Sequence, residues 1–242
     1  MSTLIFTIAQ NGYGVAYQDC IDSQRRYAAR LGANYAAVTE PKQVAEIALS
    51  AWLKVPLILG ALRAGYDYVA FIDADARVAE NAPDFRTETL QTESVGMALG
   101  RSGRVNSGVI FTKRDQASLA YFERIMASLE EEIPSEDRQN LKYENGNLIY
   151  VTKLLGGVET LDLKWNNTSD VNLKDNIRHY TGPLRDTYRR SLSANLKYRL
   201  ARIGLRKATP QPAQRSASFV TKLAAEVKAA GERYPELVAP QN

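Results

Sequence analysis

The sequence contains one cysteine, Cys20, so an internal disulfide framework is excluded and a reducing, cytoplasmic compartment is the expectation. It contains no run of about 18 apolar residues, so no transmembrane helix is expected. Its first residues, "MSTLIFTIAQ", lack a basic flank and pass straight into a strand-like pattern, so no signal peptide is expected either. Internal repeats are absent. A net positive balance is missing from most of the chain. Of a net +4, residues 184–207 hold eight Lys or Arg against one Asp, which leaves the remainder at −3. That distribution argues against a nucleic-acid-binding surface spread over the fold, and nucleic acid is not expected as a partner.

What is present is enough for one sizeable core with an appendage: 242 residues, 45% of them hydrophobic. Short apolar stretches alternate with helical patterns. Strands are expected at "TLIFTIA", "ANYAAV", "DYVAFID", "SVGMALG", "SGVIFTK", "VETLDL" and "IRHYTG". Helices are expected over Gly14 to Leu31, Pro41 to Ala64, Gln116 to Glu132, around Asn147 to Leu155, and over Phe219 to Ala230, with Gly32 and Gly65 as stops. Residues 207–218, "KATPQPAQRSAS", read as a linker. The alternation predicts an α/β fold with a largely parallel sheet, and ligands in such sheets bind beyond the carboxyl ends of the strands.

One such end carries unusual chemistry. In "YDYVAFIDADARV" the apolar run stops at Asp73 and Asp75. Residues i and i+2 of an extended chain point the same way, so the two carboxylates are expected to approach one centre. They repel unless a cation or proton lies between them, and a hard divalent metal answers that need. A lone pair of this kind also occurs in ordinary surface turns. The only histidine, His179, ends another strand-like segment, "IRHYTG", and imidazole with carboxylates suits Mn²⁺. In the "TGPLR" that follows, Gly182 allows close backbone approach to an anion and Arg185 can fork two phosphate oxygens.

The order "IDADARV", "VNSGVIFTK", "LDLKWNN", "HYTGPLR" resembles glycosyltransferase family 8, the glycogenin and bacterial lipooligosaccharide galactosyltransferase group, from residue 3 to about 185. "KVPLILGALRAGYDYVAFIDADA" also resembles family 34 galactosyltransferases. The resemblance implies a GT-A (Rossmann-like) fold, a UDP-sugar donor, Mn²⁺ or Mg²⁺, and retention of anomeric configuration. It implies Asp73, Asp75 and His179 as metal ligands, with Ala74 between the two acids grouped with the donor-binding residues. Gly182 and Arg185 match the phosphate loop, where Arg185 replaces the family's usual Lys. Tyr13 matches an aromatic that stacks on uracil, and Gln10 stands where an acidic residue commonly reads the base. Lys54 is near a basic residue that contacts donor phosphate or sugar, and Asn106 and Ser107 fit a position that contacts the donor sugar. The middle departs: "YENGNLIY" stands where the family has a "DQDxLN"-like motif, which makes Glu144, Asn145 and Asn147 the candidate catalytic polar residues. Trp165 and Asn166 are candidates to line the acceptor side, with core filling as the other reading for Trp165.

The expected division is a catalytic domain over 1–183 and a basic helical extension over 184–242. In the latter Tyr188, Leu192, Leu196, Leu200 and Ile203 form one helical stripe flanked by Arg and Lys, with Arg199 inside it. Family members that end in such a tail imply peripheral attachment to the inner face of an anionic membrane, and an ordinary helix packed on the core is the other reading. The short segment 76–105 leaves little room for a lid, which points to a glycan or lipid-linked acceptor. Competing readings are a haloacid-dehalogenase-like phosphatase with Asp73 as nucleophile and a non-enzymatic membrane-surface protein. A nucleotidyltransferase would need a Gly-rich opening that the chain lacks.

Overall fold

The structure is a computed structural model and describes residues 1–44, 46–138, 141–203, 205 and 212–240. The seven apolar stretches form strands: β1 (Thr3–Ile8), β2 (Asn34–Val38), β3 (Tyr68–Ile72), β5 (Val95–Ala98), β6 (Val109–Lys113), β7 (Val158–Leu161) and β8 (Ile177–His179). A short strand that the sequence did not suggest, β4 (Ala76–Val78), pairs antiparallel with β8. The main sheet has the order β2-β1-β3-β6-β5-β7. It is mostly parallel, but β6 runs antiparallel to both of its neighbours.

Helices α1 (Tyr13–Ala16) and α2 (Gln18–Arg30) replace the single expected helix, broken at Tyr17. The next expected helix is likewise divided, into α3 (Ile47–Trp52) and α4 (Lys54–Arg63). Further on come α5 (Phe85–Glu88), α6 (Gln116–Ala127), α7 (Ser135–Arg138), α8 (Asn145–Leu155), α9 (Leu192–Ala201) and α10 (Ala217–Arg233). Asp115 caps α6 reciprocally with Ser118, and Ser216 caps α10 through the Phe219 amide. The first part of the expected linker, residues 207–211, lies outside the described residues.

Strand alternation sends successive side chains to opposite faces of the sheet. Leu4, Phe6, Val69, Phe71 and Ile110 face the layer of α3, α4, α6, α8 and α10, while Ile5, Ala70, Ile72, Val109 and Phe111 face Tyr27, Phe85 and Trp165. Burial on both faces explains why the strands read as near-continuous apolar runs. Trp165 fills core, edge-on to Phe111 at 5.3 Å.

The C-terminal segment is integrated into this core. Phe219, Leu223 and Ala230 of α10, and Leu237 beyond it, belong to the same cluster as Trp52 and Leu62. The Tyr66 hydroxyl donates to the Glu236 carbonyl at 2.6 Å, and the Thr39 amide donates to the Tyr234 hydroxyl at 2.9 Å. The composition changes at residue 184, but the packing continues to Leu237. Phe219→Ala is therefore expected to cost about 3–5 kcal/mol in chemical denaturation; stability within 1 kcal/mol of the parent would show that α10 is a dispensable appendage.

Candidate active site at the carboxyl end of β3

Asp73 and Asp75 converge through a turn and not through strand alternation. Beyond β3 the chain reverses, with the Ala76 amide donating to the Asp73 carbonyl at 2.9 Å, and leaves as β4. Two fastenings hold that turn. The Asp73 amide donates to the Gly108 carbonyl at 2.8 Å. Buried Gln24 of α2 donates to the carbonyls of Asp73 and Ala76 at 2.9 and 2.8 Å. The extended geometry expected from i and i+2 spacing is corrected here: the turn is what brings both carboxylates to one point.

His179 reaches that point because β8 pairs with β4, with His179 opposite Ala76. Its Nε2 lies 3.1 Å from an Asp75 oxygen and 3.6 Å from an Asp73 oxygen. One ligand atom from each of the three residues lies within 4.8 Å of the others, a set able to hold a metal ion. A hydrogen-bond relay assigns the ring's tautomer. The Gly108 amide, which can only donate, meets Asn106 Oδ1 at 2.9 Å. Asn166 therefore turns its Nδ2 to that same oxygen, at 2.9 Å, and its Oδ1 to His179 Nδ1, at 3.0 Å. Nδ1 carries a proton, and Nε2 faces the carboxylates. An imidazole whose far nitrogen donates to an oxygen is the usual orientation for a metal ligand, and the mixed O, O, N donor set fits a borderline divalent ion such as Mn²⁺. Burial works against charging His179, but Asp75 and then Asp73 outweigh it and raise its pKa above the ordinary value.

Behind Asp73 lies Lys54, the first residue of α4 and almost fully buried. Its ammonium contacts Glu144 Oε1 at 2.9 Å, Asp73 Oδ1 at 3.3 Å and the Ser107 carbonyl at 3.2 Å, and sits 4.5 Å from the Phe71 ring centroid. Burial would lower its pKa, yet Asp73 and Glu144 hold it above its usual value. The Asp73 carboxyl is itself pushed up by burial, with Lys54 and then His179 opposing. Ser107 Oγ donates to Glu144 at 2.7 Å, and Asn145 binds the Ser107 amide and the Val105 carbonyl. The "NSG" segment thus fastens α8 to the site. Asn147 is directed elsewhere, with its amide nitrogen on the carbonyl and hydroxyl of Ser128.

The loop after β1 forms another wall. Tyr13 packs beside Ala9, Ile21 and Ala74, so Ala74 contributes apolar surface next to the aromatic ring. Burial foremost, then Asp75, raises the Tyr13 pKa far above its ordinary value. Gln10 is buried, with its amide spent on the Glu40 carbonyl and the Ser50 hydroxyl. Gly182, at φ +49°, opens a tight turn over Gly182–Thr187 that leaves Arg185 exposed. Tyr188 stacks on Tyr17 at 5.0 Å and lies 4.7 Å from Tyr180, which brings the C-terminal segment back onto α1.

Sequence reasoning missed Gln24, whose alternatives on a helix surface are too many. It also missed Gly108, where a Cβ would lie 2.3 Å from His179 Cε1, and the role of Asn166 as partner of the histidine. Repetition of Asn in "KWNN" and "VNSG" was the available signal.

No family model matches the sequence, and no curated protein does. Solved structures are similar in fold. One is a glycosyltransferase involved in the glycosylation of the major capsid of PBCV-1, at 16% identity and TM-score 0.57, covering 77% of this chain and 98% of that one. Another is the glycosyltransferase GlyE of Streptococcus pneumoniae TIGR4, at 10% identity and TM-score 0.52, where 93% of this chain spans 64% of that one. The fold is GT-A-like: an α/β architecture with a mixed, mostly parallel six-stranded sheet between helices.

One histidine gives one set of imidazole resonances, so the relay can be tested directly. Nitrogen-15 NMR is expected to show a protonated Nδ1 in the parent protein. Gly108→Ala should displace the ring and shift those resonances while the fold survives; an unchanged imidazole in Gly108→Ala would refute the packing described.

Proposed function

We propose that the protein is a metal-dependent glycosyltransferase that moves a hexose from a UDP-sugar to a glycan or lipid-linked acceptor with retention of configuration. The observation that carries this reading is the cluster of Asp73, Asp75 and His179 at the carboxyl end of β3 in a GT-A-like fold. These three residues would hold Mn²⁺ or Mg²⁺, which supplies Lewis-acid stabilisation of the charge on a leaving diphosphate. Arg185, exposed in the turn that follows His179, would donate to the same phosphates as charge grows on them. Tyr13 and Ala74 offer an apolar, aromatic wall for the base. Lys54 holds Asp73 against its like-charged neighbour, which keeps the ligand set assembled.

The position of Glu144 bears on mechanism. Its carboxylate is buried and already bound to Lys54 and Ser107, so it is poorly placed to act as a free nucleophile. Asn145 is fully used in fastening α8. This supports a front-face route in which the leaving phosphate accepts the proton of the incoming hydroxyl.

Asp75→Asn is expected to abolish UDP-sugar turnover and to remove the Mn²⁺-dependent thermal shift given by UDP, with the fold intact. Parent-like turnover in that variant, or in excess chelator, would remove the metal-dependent reading. A panel of nucleotide sugars in the same assay identifies the donor.

The basic segment supports a second contact. No helix among the described residues is long and apolar enough to cross a membrane. On α9 and just beyond it, Leu192, Leu196, Leu200 and Ile203 are 90%, 59%, 55% and 67% exposed, a stripe on one side of the helix with Lys197 and Arg199 at its margins. We propose that this face meets an anionic membrane, where each basic residue adds up to about 1 kcal/mol. Replacing Leu196 and Leu200 together by Ser should reduce sedimentation with phosphatidylglycerol vesicles at least tenfold. Undiminished vesicle binding would overturn the assignment.

A further inference from the structure

The other side of α9 faces the candidate site. Tyr198 lies edge-on to Tyr13, with centroids 6.1 Å apart. Gly12 makes the approach close: a Cβ there would lie 2.9 Å from the Ala201 Cβ and 3.2 Å from the Tyr198 ring. Gln43 donates to the Ala201 carbonyl at 2.7 Å and fixes the end of the helix. Two guanidinium groups lie over the Tyr198 ring, Arg190 at 4.8 Å and Arg202 at 5.2 Å. Arg190 also donates to the Tyr17 hydroxyl.

Both guanidinium groups are incompletely satisfied. Arg202 Nη1 and Arg190 Nε are buried without a hydrogen-bond partner. Neither arginine forms an ion pair with a carboxylate among the described residues, although the protein has several such pairs elsewhere. A guanidinium stays charged at any accessible pH, so it cannot relieve the cost by losing a proton. Two fixed positive charges against one ring, each with an unmet buried donor, call for an anion.

The surroundings say which anion. Tyr13 lies edge-on to Tyr198 and also packs on the cluster that contains Ala74, and Ala74 sits between Asp73 and Asp75. Arg202, the C-cap residue of α9, and the metal-binding cluster are therefore both neighbours of the same tyrosine, through Tyr198 and Ala74 respectively. We propose that Arg202 is a diphosphate-binding residue of the donor site, contributed by α9, with Arg190 holding the Tyr198 ring in place beneath it. The ligand class is a nucleoside diphosphate whose phosphates accept from Arg202 while its base lies toward Tyr13. This deepens the nucleotide-sugar reading above and rests on it.

Calorimetric titration in Mn²⁺ of the full chain with UDP and with uridine separates the outcomes. Arg202→Gln is expected to weaken UDP by roughly ten- to a hundredfold, as for a lost charge-assisted hydrogen bond, and to leave uridine unchanged. Arg202→Lys should recover part of the loss. If the parent protein binds no UDP, the nucleotide-sugar reading itself fails and this assignment falls with it. If the parent binds UDP and Arg202→Gln binds it equally, only the assignment fails. Equal loss of UDP and uridine would mean that Arg202 merely supports α9, which also overturns it. Loss of phosphatidylglycerol vesicle binding with UDP affinity intact would assign the anion to a lipid headgroup instead.

Discussion

Two carboxylates held one residue apart repel, and the architecture around the end of β3 is arranged against that repulsion. Lys54 meets Asp73 from behind and His179 meets Asp75 from the front. Neither group comes from a neighbouring part of the chain. Lys54 is at the start of α4, and His179 is delivered by β8 through its pairing with β4. The buried lysine has a second carboxylate, Glu144, at the start of α8. Removing one member of such a buried group leaves an uncompensated charge and typically costs about 3–5 kcal/mol. The same contacts that assemble the site thus lock α4, β3 and α8 together.

Specific geometry comes from the neutral groups. Gly108 serves the site three ways: its carbonyl holds Asp73, its amide orients Asn106, and its missing side chain leaves room for the imidazole. From Asn106 the order passes to Asn166 and then to His179. Each amide in the relay has a defined partner, so the direction of the last hydrogen bond follows from a backbone N–H that cannot reverse. A chain of donors and acceptors ordered in this way favours one arrangement of its side chains.

Much of this was legible in the sequence. The strands announced themselves because burial on both faces makes them continuous apolar runs ended by polar residues. Asp73, Asp75 and His179 stood out because each ends such a run, and the GT-A-like fold expected from their motifs is the fold observed. The reversal of β6 was not legible, since antiparallel pairing is decided by partners distant in sequence. Lys54 reads locally as a solvated helix residue, and only the tertiary arrangement shows it buried between two acids. Gln10 looked available to read a base, but Ser50 and the Glu40 carbonyl take both ends of its amide. The tail was read as one apolar stripe. Tyr188 has turned inward onto Tyr17, and the leucines and Ile203 have stayed in solvent. Helical periodicity identifies a face without saying what covers it.

That leaves α9 as the least self-sufficient element near the site. It has ten residues, and none of them is buried. Isolated helices shorter than about 12–15 residues are marginal in water, so its order depends on contacts outside itself. Within the protein these are ring contacts of Tyr198, the close approach at Gly12 and the bond from Gln43. By contrast α10 needs nothing further, because Phe219, Leu223 and Ala230 anchor it in the main core. Whatever binds the ordered form of α9 and not the frayed one stabilises it by mass action. The proposed anion at Arg202, the C-cap of α9, and the proposed surface against Leu196 and Leu200 would each favour its ordered form, so their contributions would have the same sign.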